Sequence, residues 1–134
     1  MKKILFVALV VVVAGVYGFR ELDTRAFERH SRNRVQGMLA SLQAGGRGGE
    51  RDAVGYWRRG DPDGFDQDSY TSFRRFRDDH GLESIRSFEV VSAEVVAASD
   101  TFARSVVVRC RVDGRPVAFR ARLNEPLEWI DGGQ

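Results

Sequence analysis

The chain has 134 residues, enough for one domain with its own core, and its hydrophobic (43%) and charged (30%) fractions are ordinary for a globular protein. Lys2 and Lys3 are the only lysines, and without them 19 arginines face 19 acidic residues. That balance excludes a protein that grips nucleic acid by neutralising phosphates, and a single cysteine with two histidines excludes an intramolecular disulfide and a Cys/His zinc cluster.

Met1-Lys2-Lys3 is a short cationic start, and residues 4–19 are uncharged and rich in Val, Leu and Ala. As a helix this 16-residue run is about 24 Å long at 1.5 Å per residue. It is shorter than the ~20 residues of an ordinary span and longer than most signal-peptide cores. Residues 1–21 are therefore read as a membrane anchor or a signal peptide. The uncleaved anchor is preferred because Arg20 can snorkel and lengthen the span. Val16 and Gly18, or Val13 and Gly15, supply the small residues that cleavage would need. Orientation has two opposing signals. The cationic head before an apolar core is an export layout, which puts the rest of the chain outside the cytoplasm. Arg20, Arg25, Arg29, Arg32 and Arg34 after the run pull the other way under the positive-inside rule. Export is the reading adopted: periplasmic or cell-surface, and secreted if the leader is removed.

Residues 22–134 read as a single α+β domain. Ala26, Phe27, His30, Arg34, Val35, Met38, Leu39 and Leu42 recur at helical spacing; Asp23-Thr24 either caps this helix or lets the anchor helix continue into it. Gly45 to Gly49 ends that helix as a loop, and Glu50–Arg59 forms a second helix presenting Ala53, Val54 and Trp57. The loop Asp61 to Asp68 carries four carboxylates, but the positions where a calcium loop needs Gly and Glu hold Asp66 and Ser72. It is read as a solvated turn with Asp68 capping a third helix, Ser69–Asp79. That helix puts Tyr70, Phe73 and Phe76 on one face and closes at His80-Gly81.

The remainder reads as strands: Ile85–Ala98, Ala103–Val112, Arg115–Leu123 and Leu127–Ile130. Val90-Val91 and Val95-Val96 break the alternation of the first, which predicts a bulge or a bend. Asp113-Gly114 between alternating runs predicts a two-residue hairpin turn. That turn sets Val112 opposite Arg115, Cys110 opposite Val117, Val108 opposite Phe119 and Val106 opposite Ala121 on one apolar face. The other face then carries Arg109, Arg111, Arg120 and Arg122, with Val107 among them. The fold class follows: an N-terminal apolar helix, then helices packed on a curved antiparallel four-stranded meander.

Helices followed by a meander resemble the NTF2-like and cystatin-like domains, in which a sheet wraps a helix. Leu39-x-x-Leu42, a Gly-rich turn, Glu50, Ala53 and Trp57 look like the opening helical pair of small secreted NTF2-like domains. The resemblance covers residues 22–130. It implies an α+β roll whose members include enzymes, ligand carriers and membrane-tethered subunits of envelope assemblies, so fold alone does not assign function. Its catalytic members use a carboxylate or a His–Asp pair inside the cone, and no motif maps those residues onto this chain.

Among candidate chemical groups, His80 follows Asp78 and Asp79 and is the one candidate general base, although a helix end favours a histidine for its dipole alone. His30 reads as a packed or interfacial residue, Cys110 as a buried thiol, and Glu89 and Glu94 as cross-strand ion-pair partners. No nucleophile elbow, phosphate-binding loop or metal-ligand spacing is present, so no cofactor and no metal are expected. The arginine face is the candidate partner-binding surface, suited to an anionic envelope component or an acidic protein patch. A sheet edge is available for pairing with a second copy. The expectation is a membrane-tethered binding domain and not an enzyme. The alternative is a small exported enzyme or carrier that uses a cavity inside the cone. An interior filled by Trp57, Phe73 and Phe76 favours the first, and His80 or a glutamate in a concave pocket favours the second.

Overall fold

The computed structural model describes residues 24–96 and 104–130. Three helices cover one face of a four-stranded antiparallel meander. The helices are α1 (24–44), α2 (Gly46–Arg59) and α3 (Gln67–Asp79), and the strands are β1 (Phe88–Val96), β2 (Ser105–Val112), β3 (Arg115–Ala121) and β4 (Glu128–Ile130), paired in sequence order. The apolar run at residues 4–19 and the turn at Ser99-Asp100-Thr101 lie outside the described residues.

The Asp113-Gly114 turn sets the register as expected. Both residues take positive φ, 51° and 79°, which suits the right-handed twist of the flanking strands. Val112 faces Arg115, Cys110 faces Val117, Val108 faces Phe119 and Val106 faces Ala121. The turn also reaches sideways. The Asp113 carboxylate accepts hydrogen bonds from the Arg86 and Ser87 amides at 2.9 Å each, and its own amide donates to the Ser87 carbonyl at 2.9 Å. This tie holds the entry to β1, so residues 85–87 are occupied by the turn and the strand begins at Phe88, later than the alternation suggested. The expected bulge is at Val91. The β1–β2 register slips between Val90 and Ser92, and Val91 is left 54% exposed.

The Gly-rich stretch corrects the sequence reading. It is not a loop: only Gly45 separates the helices, and Gly46 to Gly49 form the first turn of α2. Gly45 and Gly46, at φ 70° and 74°, reverse the chain at once. Gly49 is small because a Cβ there would meet the Ser41 carbonyl oxygen at 2.5 Å. The glycines serve close approach and an abrupt corner. The acidic loop corrects in the same direction, since α3 starts at Gln67 with Asp66, not Asp68, at the N-cap. Asp66 is fixed there by Arg58 at 3.0 Å and by the Ser69 hydroxyl, also at 3.0 Å.

One hydrophobic cluster joins all three helices to the inner face of the sheet. Val35, Met38 and Leu39 of α1, Ala53, Val54 and Trp57 of α2 and Phe73 of α3 meet Val106, Val108, Cys110, Val117 and Phe119. Burying a large apolar side chain contributes ~1.5–3 kcal/mol, so this cluster dominates the stability of the fold. α1 runs antiparallel to β1. Gln43 donates to the Arg86 carbonyl, Arg32 to the Val90 carbonyl and the Val95 amide to Glu28. The last two contacts occupy backbone groups of β1, which has a partner strand on one side only, and so blunt that edge. The molecule thus has two ends. One carries the start of α1, the end of α2, the start of β2 and the β3–β4 connection; the other carries the α1–α2 corner and the Asp113-Gly114 turn.

Candidate functional site

The outer sheet face carries Arg109, Arg111 and Arg120 as expected, but it is not a uniform basic surface. Its cross-strand rows read Glu89–Arg111–Pro116, Ser92–Arg109–Ala118–Ile130 and Glu94–Val107–Arg120–Glu128. Acids flank the arginines in two rows, and Arg120 reaches Glu128 at 3.5 Å. The long side chains shield Val107 and Ala118, which are 8% and 0% exposed. Arg111 is exposed and makes no ion pair among the described residues. Arg122 lies one residue beyond β3, paired with Glu125 at 3.6 Å across the β3–β4 connection. The structure therefore groups three of the four candidate arginines and moves the fourth to one end of the molecule.

The interior is filled. Trp57 meets Phe73 edge-on at 5.7 Å and Phe76 at 5.9 Å, and Phe76 continues to Phe119 at 6.4 Å and to His80 at 5.2 Å. His80 lies flat on Trp129, with centroids 4.4 Å apart and planes 10° off parallel. The Arg115 guanidinium lies 5.9 Å from the Trp129 ring centroid and donates to the His80 carbonyl at 3.1 Å. His80 is thus a member of an aromatic stack, and it lines none of the four concavities formed by the described residues. Cys110 is 2% exposed, and burial pushes its thiol up to about 12, against a small opposing pull from Arg32. It is a packed thiol, not a nucleophile. Among the described residues no group of three or more His, Cys, Asp or Glu side chains is placed to hold a metal ion.

The residue that sequence reasoning passed over is Arg34. It is 4% exposed and its partners are backbone carbonyls. Nε donates to Tyr56 at 2.7 Å, Nη1 to Arg122 at 3.3 Å, and Nη2 to Trp57 and Glu125. Tyr56 and Trp57 belong to the last turn of α2, where the helix dipole is negative and the carbonyls keep lone pairs to spare, the Tyr56 oxygen taking only the Gly60 cap amide from the helix end. A fork of five donors suits that end, and the same fork captures the β3–β4 connection. Desolvation lowers the guanidinium to about 10, yet four carbonyl acceptors favour the cation, so Arg34 is charged throughout the physiological range. The signal in the sequence was an arginine on the apolar stripe of α1, one residue before Val35.

Beside this staple lies a concavity of about 590 Å³, lined by Arg58, Arg59, Asp61, Asn124 and Pro126. Arg59 is exposed and makes no ion pair among the described residues, Arg58 holds Asp66, and the Asp61 carboxylate accepts from the Asp63 amide at 2.9 Å. Leu123 stands next to it, 68% exposed. Comparison with protein-family models, with curated proteins and with solved structures gave no match. The fold and its surfaces define an α+β domain with a filled interior and a charged exterior. No helix of the described residues is long and apolar enough to cross a membrane.

Proposed function

We propose that the chain is a membrane-tethered, extracytoplasmic binding domain of NTF2-like or cystatin-like type, held by residues 4–19, that acts by engaging an anionic envelope component or an acidic protein and performs no chemistry. The observation that carries this reading is the filled interior. Trp57, Phe73, Phe76 and Phe119 occupy the space that a carrier or an enzyme of this architecture would keep open for its ligand. The one candidate base, His80, is spent on stacking. The groups left to meet a partner are exposed guanidiniums, with Arg111 on the outer sheet face in no ion pair among the described residues.

Two experiments test it. A C-terminal alkaline phosphatase fusion to the full chain is active if the domain is exported, and a cytoplasmic-type fluorescent fusion that is bright in its place refutes the location. Replacing Val10 and Val12 with Arg breaks the apolar run and leaves the protein soluble in the cytoplasm. For binding, cross-linking of the full chain in its own membranes captures a partner that Arg111→Glu with Arg120→Glu releases. Capture that is indifferent to this pair refutes the outer sheet face as the contact.

A further inference from the structure

We infer that the end of the fold containing the Arg58/Arg59 concavity lies against the phospholipid surface, with Arg59 taking a lipid phosphodiester and Leu123 entering the interfacial layer; this rests on the tethered reading above. Three independent observations point to the same end. First, the apolar run 4–19 ends four residues short of residue 24, where the described part of α1 starts, so that part of α1 is the part of the fold tied closest to any membrane the run enters. Second, the described contacts bring the concavity to that end. Glu28, early in α1, meets the end of β1 at Val95, which pairs with Val106, which pairs with Ala121, two residues before Leu123. His30 and Arg34 lie beside Gly60, immediately after Arg59. Third, the chemistry of that end suits a headgroup layer. Arg59 makes no ion pair among the described residues, the exposed Arg29 adds a second guanidinium, and Leu123 is the most exposed large apolar side chain described.

Part of the acidic charge at this end is already engaged. Among the described acids here, Glu28 accepts from the Val95 amide, Glu125 pairs with Arg122 and Asp61 accepts from the Asp63 amide, while Asp63 and Glu94 carry no ion pair. A basic end rimmed by an exposed leucine is the pattern of an interfacial contact, in which guanidiniums meet anionic headgroups and apolar side chains enter below them. The concavity is large enough for a phosphodiester with its glycerol, and Asn124 beside Arg59 adds an amide donor.

The test uses the full chain reconstituted into vesicles of phosphatidylcholine alone or with phosphatidylglycerol. Leu123→Cys is labelled with an environment-sensitive dye under native conditions, where the buried Cys110 stays unreactive. With phosphatidylglycerol the dye emission shifts to the blue and is quenched by headgroup-labelled lipid. Arg59→Glu weakens this contact roughly tenfold or more, since each basic side chain near an anionic surface matters and reversal counts twice. High salt does the same. Arg47→Glu, an equal charge change at the opposite end, leaves it intact. A dye that reports water in phosphatidylglycerol vesicles, or a quench indifferent to Arg59→Glu, overturns the inference. Carbonate extraction, run in parallel, reads the tether alone. A chain extracted by carbonate that still floats with phosphatidylglycerol vesicles through Arg59 keeps the headgroup contact and refutes the tether; a chain that neither resists extraction nor floats refutes both.

Discussion

Arg34→Met removes the guanidinium of α1 and keeps an unbranched stem in the same space. Four hydrogen bonds to carbonyls disappear, and bonds to a charged donor contribute ~1.5–3 kcal/mol each before compensation. Compensation here is substantial. Three of the carbonyls keep a backbone donor: Gly60 for Tyr56 at 3.0 Å, Leu127 for Trp57 at 2.8 Å and Glu125 for Arg122 at 3.4 Å. Glu125 alone loses its partner. The variant also recovers the burial penalty of the cation, which the fall from 12.5 to about 10 sets at roughly 3 kcal/mol, at ~1.36 kcal/mol per pKa unit. The balance is a loss of ~2–4 kcal/mol, the scale of breaking a buried polar network. At roughly 4 °C per kcal/mol for a domain of this size, the melt falls by about 8–16 °C. Arg34→Lys falls between the two, because a point ammonium has three donors and cannot span both the end of α2 and the β3–β4 connection. Thermal melts of the full chain in detergent, followed by near-ultraviolet dichroism of the Trp57–Phe73–Phe76 cluster, read both variants. A melt for Arg34→Met within about 2 °C of wild type refutes the staple, on the same scale of degrees per kcal/mol.

Gly114→Val places a β-branched residue at φ 79°, where nothing lies within 4 Å of the new Cβ, so the expected loss of ~1–3 kcal/mol is backbone strain alone. An unchanged denaturation midpoint would mean the turn is misassigned. Cys110 titrates near 9.0 unfolded and is pushed up to about 12 when folded, so the native chain keeps a proton that the unfolded chain has lost between those values. Its contribution to stability is complete below pH 9 and is lost as the pH rises toward 12; Cys110→Ala, measured against wild type, flattens that decline, and a decline identical in both would refute the assignment. His80→Ala leaves partner capture from membranes intact while lowering the melt through loss of the Trp129 stack. Loss of capture in a folded His80→Ala would instead favour the enzyme or carrier reading.

The sequence by itself determined the sheet. Alternation and an Asp-Gly pair fix which residues oppose one another, because a one-residue slip in a half-buried hairpin would turn every side chain to the wrong face. The observed register Val106–Ala121, Val108–Phe119 and Cys110–Val117 followed from that constraint, and so did the bulge at Val91, where two adjacent valines cannot both face inward. The aromatic face of α3 was legible for the same reason of period. The tertiary structure decided what local composition cannot express. Four glycines in five residues read as a loop, yet Gly49 answers to Ser41 on the preceding helix and the stretch starts α2. Asp66, not Asp68, caps α3 because Arg58, eight residues earlier on another helix, holds it there. The arginine face was placed by alternation, but its charge was settled by Glu89, Glu94 and Glu128 on neighbouring strands. Arg34 shows the limit most sharply. Its partners are carbonyls, which every residue possesses, so nothing in their identity announces them; only the packing of α1 against the end of α2 brings those oxygens within reach of one guanidinium.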